Sequence, residues 1–437
     1  MTGFVAGVAR ADITPPVGVD LCGYGSRPGP STGVHDDLAC TALYLSDGRC
    51  ELMVLSCDLI GLHHDNVAAL RRGITALTGV PSAQIMVACS HTHAGPATPC
   101  IRYLGETDPD YLDWLLKTLV VTAGRAREQA RPARAGWARV PVRVGMNRRQ
   151  ALSGRVIIGN NDAGVTAPHL DLLAVDGLDG VPCARLFSHA AHAVALGGDN
   201  TLISADWPGV ARRGIEADSP GARALFLQGC CGNINCRERG WEGCEAQGKA
   251  VAEAVRTALA EVRLVDRLEL GAAVVPLELP LSDPPTVSAA AALVADCRQK
   301  LADLPADANR GFRWMAEGAV AWSEGLLRLA EQGVRGQTLP FEVQAFRMGG
   351  GAMVALPGEV FVEYGLAIAK ASPFAPTLVA GYANGNVGYI PTAAAYAEGG
   401  YEVDNAIRYY GMTMPTVASE GLILEAAASA LAALDRG

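Results

Sequence analysis

The chain has 437 residues, half of them hydrophobic and 19% charged, with a formal net charge of −9. This is the composition of a globular body with a large core, and it excludes a disordered polyelectrolyte. An acidic balance without any long Lys/Arg run also argues against nucleic acid or an anionic membrane as partner.

The first residues, Met1 to Gly18, lack a basic start followed by a long apolar stretch, and no later segment offers eighteen uninterrupted apolar residues. The expectation is a cytoplasmic protein without export signal or membrane span. Its twelve cysteines should then be reduced thiols. Cys230, Cys231, Cys236 and Cys244 are closely spaced but form no CxxC pair, which argues against a thiolate metal cage.

In chain order, the apolar runs Cys40 to Leu45 and Leu52 to Cys57 flank Ser46-Asp47-Gly48 and predict a β-hairpin, with Asp58 at its end. Helical spacing follows from Asn66 to Leu77, a buried strand from Gln84 to Cys89, and a long amphipathic helix from Asp110 to Glu128. A second block repeats the alternation: strands Leu170 to Val175 and Val181 to Ser188, a helix from Trp207 to Ala217, and a strand from Ala224 to Gln228. Residues 284–333 predict two helices joined near Pro305-Ala306-Asp307, with Trp314 and Trp322 on apolar faces. Such stripes suit a packed helical hairpin better than a mobile lid or a dimer contact. Strands Val343 to Met348 and Ala352 to Ala355 then lead to Leu356-Pro357-Gly358-Glu359, and Thr377 to Tyr382 to a Gly/Asn-rich loop. The pattern predicts an α/β fold of mixed β-sheets flanked by helices.

Candidate chemistry gathers just after the strands. Ser90-His91-Thr92-His93 places two imidazoles at a strand end, and Ser188-His189-Ala190-Ala191-His192 repeats the arrangement. Four of the eight histidines thus fall at two strand ends. Neutral imidazole is a common zinc ligand, and a catalytic zinc needs a third or fourth donor plus an open position. Glu359 and Tyr389 stand where such donors are needed, although spacing alone leaves Glu359 open as a surface charge.

These residues belong to an ordered series that resembles the neutral ceramidase-type hydrolase family over most of the chain. The series runs through Ala11-Asp12-Ile13-Thr14-Pro15-Pro16, Gly23-Tyr24-Gly25, Gly33-Val34-His35-Asp36-Asp37-Leu38, the His-Thr-His-x-Gly-Pro segment and Asn147-Arg148-Arg149. It continues through Gly198-Asp199-Asn200, Ile203-Ser204-Ala205-Asp206, Gln228-Gly229, Leu356-Pro357-Gly358-Glu359 and Asn384-Gly385-Asn386-Val387-Gly388-Tyr389-Ile390. The resemblance implies the family's catalytic-domain fold over residues 1–437, with the helical hairpin as an insertion. It also implies one catalytic Zn2+ held by His91, His192, Glu359 and Tyr389. His93 would face the substrate carbonyl or the metal-activated water, although His-x-His spacing permits a ligand there too. Asn147, Arg148 and Arg149 match a motif near the family's pocket, where a guanidinium would clamp a substrate carboxylate; the alternative is a surface loop.

Two departures from the family shape the expected function. Gly232-Asn233-Ile234-Asn235-Cys236 puts asparagine where ceramidases proper carry a serine implicated in catalysis. A carboxamide cannot accept an acyl group, so metal-activated water is the expected nucleophile and Asn235 a candidate oxyanion donor. The chain also ends without the ceramidases' carboxyl-terminal β-domain, which makes a membrane lipid a poor substrate. The expectation is hydrolysis of an amide, lactam or ester bond in a small polar molecule, with a carboxylate-bearing one suiting the local arginines, by a protein that can form homo-oligomers. A zinc lyase or isomerase and a non-catalytic metal-dependent binding protein are the rival readings. Asp58 is expected near the substrate, Asp206 and His189 behind the ligands or on a second metal, and Asp65 as a helix cap. His35-Asp36 is either a pocket wall or a loop pair.

Overall fold

A computed structural model of the protein describes residues 3–436. The architecture is α/β, with mixed sheets flanked by helices. The larger sheet has eight strands in the order Arg223–Gln228, Pro182–His189, His169–Gly177, Arg131–Pro141, Val5–Asp12, Ala39–Ser46, Glu51–Cys57 and Ile85–Cys89. A four-stranded sheet is ordered Leu270–Pro280, Thr338–Met348, Gly351–Ala355 and Thr377–Ala380.

The apolar runs of the first hairpin are continuous because both of its faces are buried. Ala42, Tyr44, Met53 and Leu55 pack under Leu70 and Ile74 of helix His64–Thr78 and under Leu115 and Leu119 of helix Pro109–Glu128. Leu43, Leu45, Leu52 and Val54 face the other way, against Phe346, Met348, Met353 and Leu378 of the second sheet. The second sheet's far side is closed by Ile423, Ala427 and Leu431 of helix Ser419–Asp435. The core is therefore a stack of helices, sheet, sheet and helices.

Local chemistry fixes the helix ends. Asp108 accepts hydrogen bonds from the Asp110 and Tyr111 amides, and Pro109 opens the helix where no N–H is needed. At helix His64–Thr78 the cap is His63, whose side chain accepts from the Asp65 amide; Asp65 lies in the first turn and is not the cap. The segment expected as a helical pair holds helices Val287–Ala302 and Arg310–Glu331. The second is seated by Trp322, whose Nε1–H donates to the Met412 carbonyl at 2.9 Å. All twelve cysteines are free thiols. Among the described residues no helix is long and apolar enough to cross a membrane.

Three parallel pairs decide where the site can form: Glu51–Cys57 with Ile85–Cys89, Pro182–His189 with Arg223–Gln228, and Gly351–Ala355 with Thr377–Ala380. The two sheets are joined near the carboxyl ends of these strands by bridges Ala88↔Ala383 and Gly229↔Ala380. Loops from both sheets thus leave from one edge, which is where open α/β sheets place their ligands.

Candidate metal centre

His91 follows strand Ile85–Cys89 in the left-handed region, φ +60°, and its amide is tied to the Leu59 carbonyl. Its Nδ1 lies 2.6 Å from the Ile60 carbonyl oxygen, while His192 Nδ1 lies 2.7 and 2.9 Å from the carbonyls of Cys231 and Ile234. A carbonyl only accepts, so each Nδ1 carries the proton and each Nε2 presents a bare lone pair. Those Nε2 atoms lie 3.6 Å (His91) and 3.3 Å (His192) from Glu359 Oε2. His93 Nε2 is 3.1 Å from His91 Nε2, and the three imidazoles bring their donor atoms within 4.8 Å of one another.

Glu359 and Tyr389 are delivered together, because Glu359–Val360 and Tyr389–Ile390 form a short parallel pair in which Glu359 is Tyr389's partner. Tyr410 Oη–H donates to Glu359 Oε1 at 2.5 Å, and the Tyr382 hydroxyl sits 3.4 Å from Oε2. Tyr382, at φ +50°, stacks its ring on His91 with 4.0 Å between centroids. Positive φ at two bulky non-glycine residues marks stored backbone strain, common where a site over-determines its geometry.

His91 and His192 are 1% and 0% exposed, Glu359 3% and Tyr389 5%. Burial holds His91 down at about 3, and it holds His192 and His93 below the usual imidazole range as well. Burial opposes ionisation of Glu359, but His91 and His192 outweigh it and keep the carboxyl well below its ordinary range. Neutral imidazoles around an ionised carboxylate are the protonation state that a divalent cation requires. The donor set of nitrogen and oxygen atoms fits zinc and its neighbours among the transition metals.

Arg148 runs through the back of this cluster. Its Nη2–H donates to the Tyr389 hydroxyl oxygen at 2.8 Å, and Nη1 lies 3.3 Å from both His192 Nε2 and Asn235 Oδ1. Its Nε–H donates to Glu402 at 2.8 Å. Arg149 donates to Glu402, Glu398 and the Gly399 carbonyl, at 2.8, 3.0 and 2.8 Å. The open carboxylate clamp expected of these arginines is not what the geometry offers: the chain's own carboxylates fill the Arg149 fork, and Arg148 spends Nε on Glu402 and its two Nη groups on Tyr389, Asn235 and His192. Asn147 holds the Val165 carbonyl and the Arg149 amide, so it braces the strand.

The remaining candidates lie elsewhere. Asp58 is paired with the Arg212 guanidinium and accepts from the Ala39 amide at 2.9 Å, so its carboxylate is occupied away from the imidazoles. Asp206 accepts from the Ala195, Leu196 and Trp207 amides and acts as a turn brace. His189 donates from Nδ1 to the His169 carbonyl and lines a separate cavity with Asp171, Cys230 and Val379. Asp36 accepts from the Ser204 hydroxyl and the Ala205 amide, and His35 stacks on Trp241 at 4.0 Å. A second, more exposed group, His63, His64 and Asp65, also brings donor atoms together. Sequence reasoning missed Tyr382, Tyr401, Glu402 and Tyr410. The only local signal at the last three was the Gly399-Gly400 pair before an irregular turn.

No family model matches this chain, and no curated protein matches it. Solved structures do. A neutral ceramidase from Pseudomonas aeruginosa is 18% identical, over 98% of this chain and 74% of that one, with a TM-score of 0.73. A ceramidase complexed with C2 is 17% identical, over 100% of this chain and 76% of that one, with a TM-score of 0.74. The fold is that of the neutral ceramidases.

Proposed function

We propose that this ceramidase-fold chain is a metal-dependent hydrolase that cleaves an amide, lactam or ester bond in a small substrate. The observation that carries the reading is the pair of buried imidazoles, His91 and His192, each with Nδ1 tied to a backbone carbonyl and an unprotonated Nε2 beside the buried Glu359 carboxylate. That arrangement leaves lone pairs and a negative charge facing one another, which a cation resolves. His91, His192, Glu359 and Tyr389 would hold one Zn2+, which when bound supplies a Lewis acid and an activated water.

The other residues divide the remaining work. His93 differs from its neighbours: its Nδ1 is buried without a partner and its ring is half-buried against Tyr24. An imidazole not locked by a carbonyl is suited to pass a proton at Nε2 between substrate and solvent. Asn235 has its Oδ1 turned to the donor-only Arg148 guanidinium, which leaves its N–H2 group to receive the developing oxyanion. With the Arg149 fork filled by Glu402 and Glu398, and the Arg148 nitrogens taken by Glu402, Tyr389, Asn235 and His192, this reading puts no substrate carboxylate on them.

Elemental analysis of protein purified without added metal, wild type against His91→Ala, tests the centre first. About one zinc per chain in the wild type, lost in the variant, supports the reading; no metal in either overturns it. A panel of small amides, lactams and esters in 18O-labelled water then tests the reaction. Hydrolysis places the label in the product and stops in Glu359→Gln, whereas an unlabelled product identifies a lyase or isomerase.

A further inference from the structure

We infer that Glu402 is a positioning residue for this centre: it aims the Arg148 guanidinium at Tyr389 and Asn235 and thereby sets the geometry of the metal's surroundings. The inference rests on the hydrolase reading for its kinetic consequence but not for its structural one. Glu402 is 1% exposed, and its two oxygens are divided between two consecutive arginines, Oε1 to Arg148 Nε and Oε2 to Arg149 Nη1, each at 2.8 Å. Consecutive residues of a regular strand point to opposite faces. A register shift between Asn147 and Arg149 breaks that alternation and lets both side chains reach one carboxylate.

The guanidinium is a rigid plane, so fixing Nε fixes where the other two nitrogens point. In Arg148 those two nitrogens are the ones on the Tyr389 oxygen and the Asn235 Oδ1. Its carbon also lies over the Tyr389 and Tyr401 rings, 5.5 and 5.9 Å from their centroids. The backbone is also shaped to bring Glu402 here. Gly399 and Gly400 take φ of +67° and +102°, and Tyr401–Asn405 forms a π-helical turn, a feature frequent at functional sites. A Cβ on Gly400 would meet Val156 at 3.1 Å and Arg149 Nη1 at 3.3 Å, so the turn is seated against the Arg149 side chain and the strand Arg155–Asn161 that pairs with the arginines' own.

Charge explains why a carboxylate is needed. A buried guanidinium beside a site built for a dication is repelled unless a counter-charge lies on its far side, and Glu402 occupies that side. Arg149 and Glu398 complete an alternating chain of charges that leads outward from Glu402.

The test uses cobalt-substituted full-length protein, because the visible d–d bands report the metal's ligand geometry whether or not a substrate is known. Glu402→Gln and Arg148→Gln are each expected to retain cobalt and to shift these bands in the same way, and the double variant to go no further, since residues acting as a unit are non-additive. Glu402→Asp, which keeps the charge but shortens the reach, guards against a variant that fails to fold and is expected to shift the bands too. With a substrate from the panel, kcat should fall about a hundredfold in Glu402→Gln with KM changed far less, in keeping with a misplaced catalytic geometry. Wild-type bands in both Glu402 variants, or effects of Glu402→Gln and Arg148→Gln that add, would overturn the inference. Failure of the hydrolase reading would show separately, as absence of turnover in the wild type.

Discussion

Removing one hydroxyl that touches no proposed ligand atom of the metal other than Glu359 should weaken metal binding by an amount the structure sets. Tyr410 Oη donates to Glu359 Oε1 at 2.5 Å, while the ring itself packs over Gly388, where an added Cβ would meet it at 3.1 Å. Tyr410→Phe keeps that packing and deletes only the donor. A hydrogen bond to an ionised group contributes about 1.5–3 kcal/mol. Because Glu359 must be ionised and correctly turned to take a cation, that loss should appear as roughly ten- to 150-fold weaker zinc binding, close to the loss of about ten- to a hundredfold when outer hydrogen bonds of metal sites are removed. The assay is competition between apoprotein and a chelator of known affinity, with urea unfolding of both apoproteins as control. Zinc affinity within about twofold of wild type, where the hydrogen bond alone should cost at least tenfold, would refute both the role of Tyr410 and the placement of the metal on Glu359.

Asp58→Ala should destabilise the fold by about 3–5 kcal/mol, because it strands the buried Arg212 guanidinium, yet leave metal content at the wild-type level; metal loss in a folded variant would return Asp58 to the site. His189 supplies a pH prediction. Burial holds its imidazole at about 4, below the ordinary 6.5, so the folded protein binds fewer protons than the unfolded chain between those values. Its contribution, of about 3 kcal/mol, is complete above pH 6.5 and lost as pH falls to about 4. Urea midpoints measured at pH 7 and about pH 4.5 should therefore differ less in His189→Gln than in wild type, and an equal loss in both would contradict the assignment.

Legibility in the sequence followed the range of the interactions involved. His91, His93, His192 and Glu359 could be read because each follows an apolar run that marks a strand end, and strand ends are where such sites gather. Asp58 and Asp206 carry the same local signature and were misplaced by it. Whether an acid at a strand end meets a metal, a guanidinium or a row of amides depends on partners such as Arg212, 154 residues away. Glu402 and Tyr410 lay beyond reach for a related reason: their segments have no period, and only tertiary packing turns them inward; Tyr382 closes a predicted strand, but nothing local aims its ring at His91. The fold shows the same division. Continuous runs such as Leu52 to Cys57 announced buried strands, whereas Arg131–Pro141, with its arginines and two prolines, hid one that pairs along the centre of the large sheet.

The proposed ligands come from segments as far apart as His91 and Tyr389, on loops of two packed sheets that are joined at that edge by bridges such as Ala88↔Ala383. No short fragment of the chain contains the set. Such non-local closure is slow, because distant segments must be brought together before any contact rewards it. An ion held by the proposed ligands would thus be captured late in the life of each newly made chain, and its retention during purification would count the molecules that completed their folding.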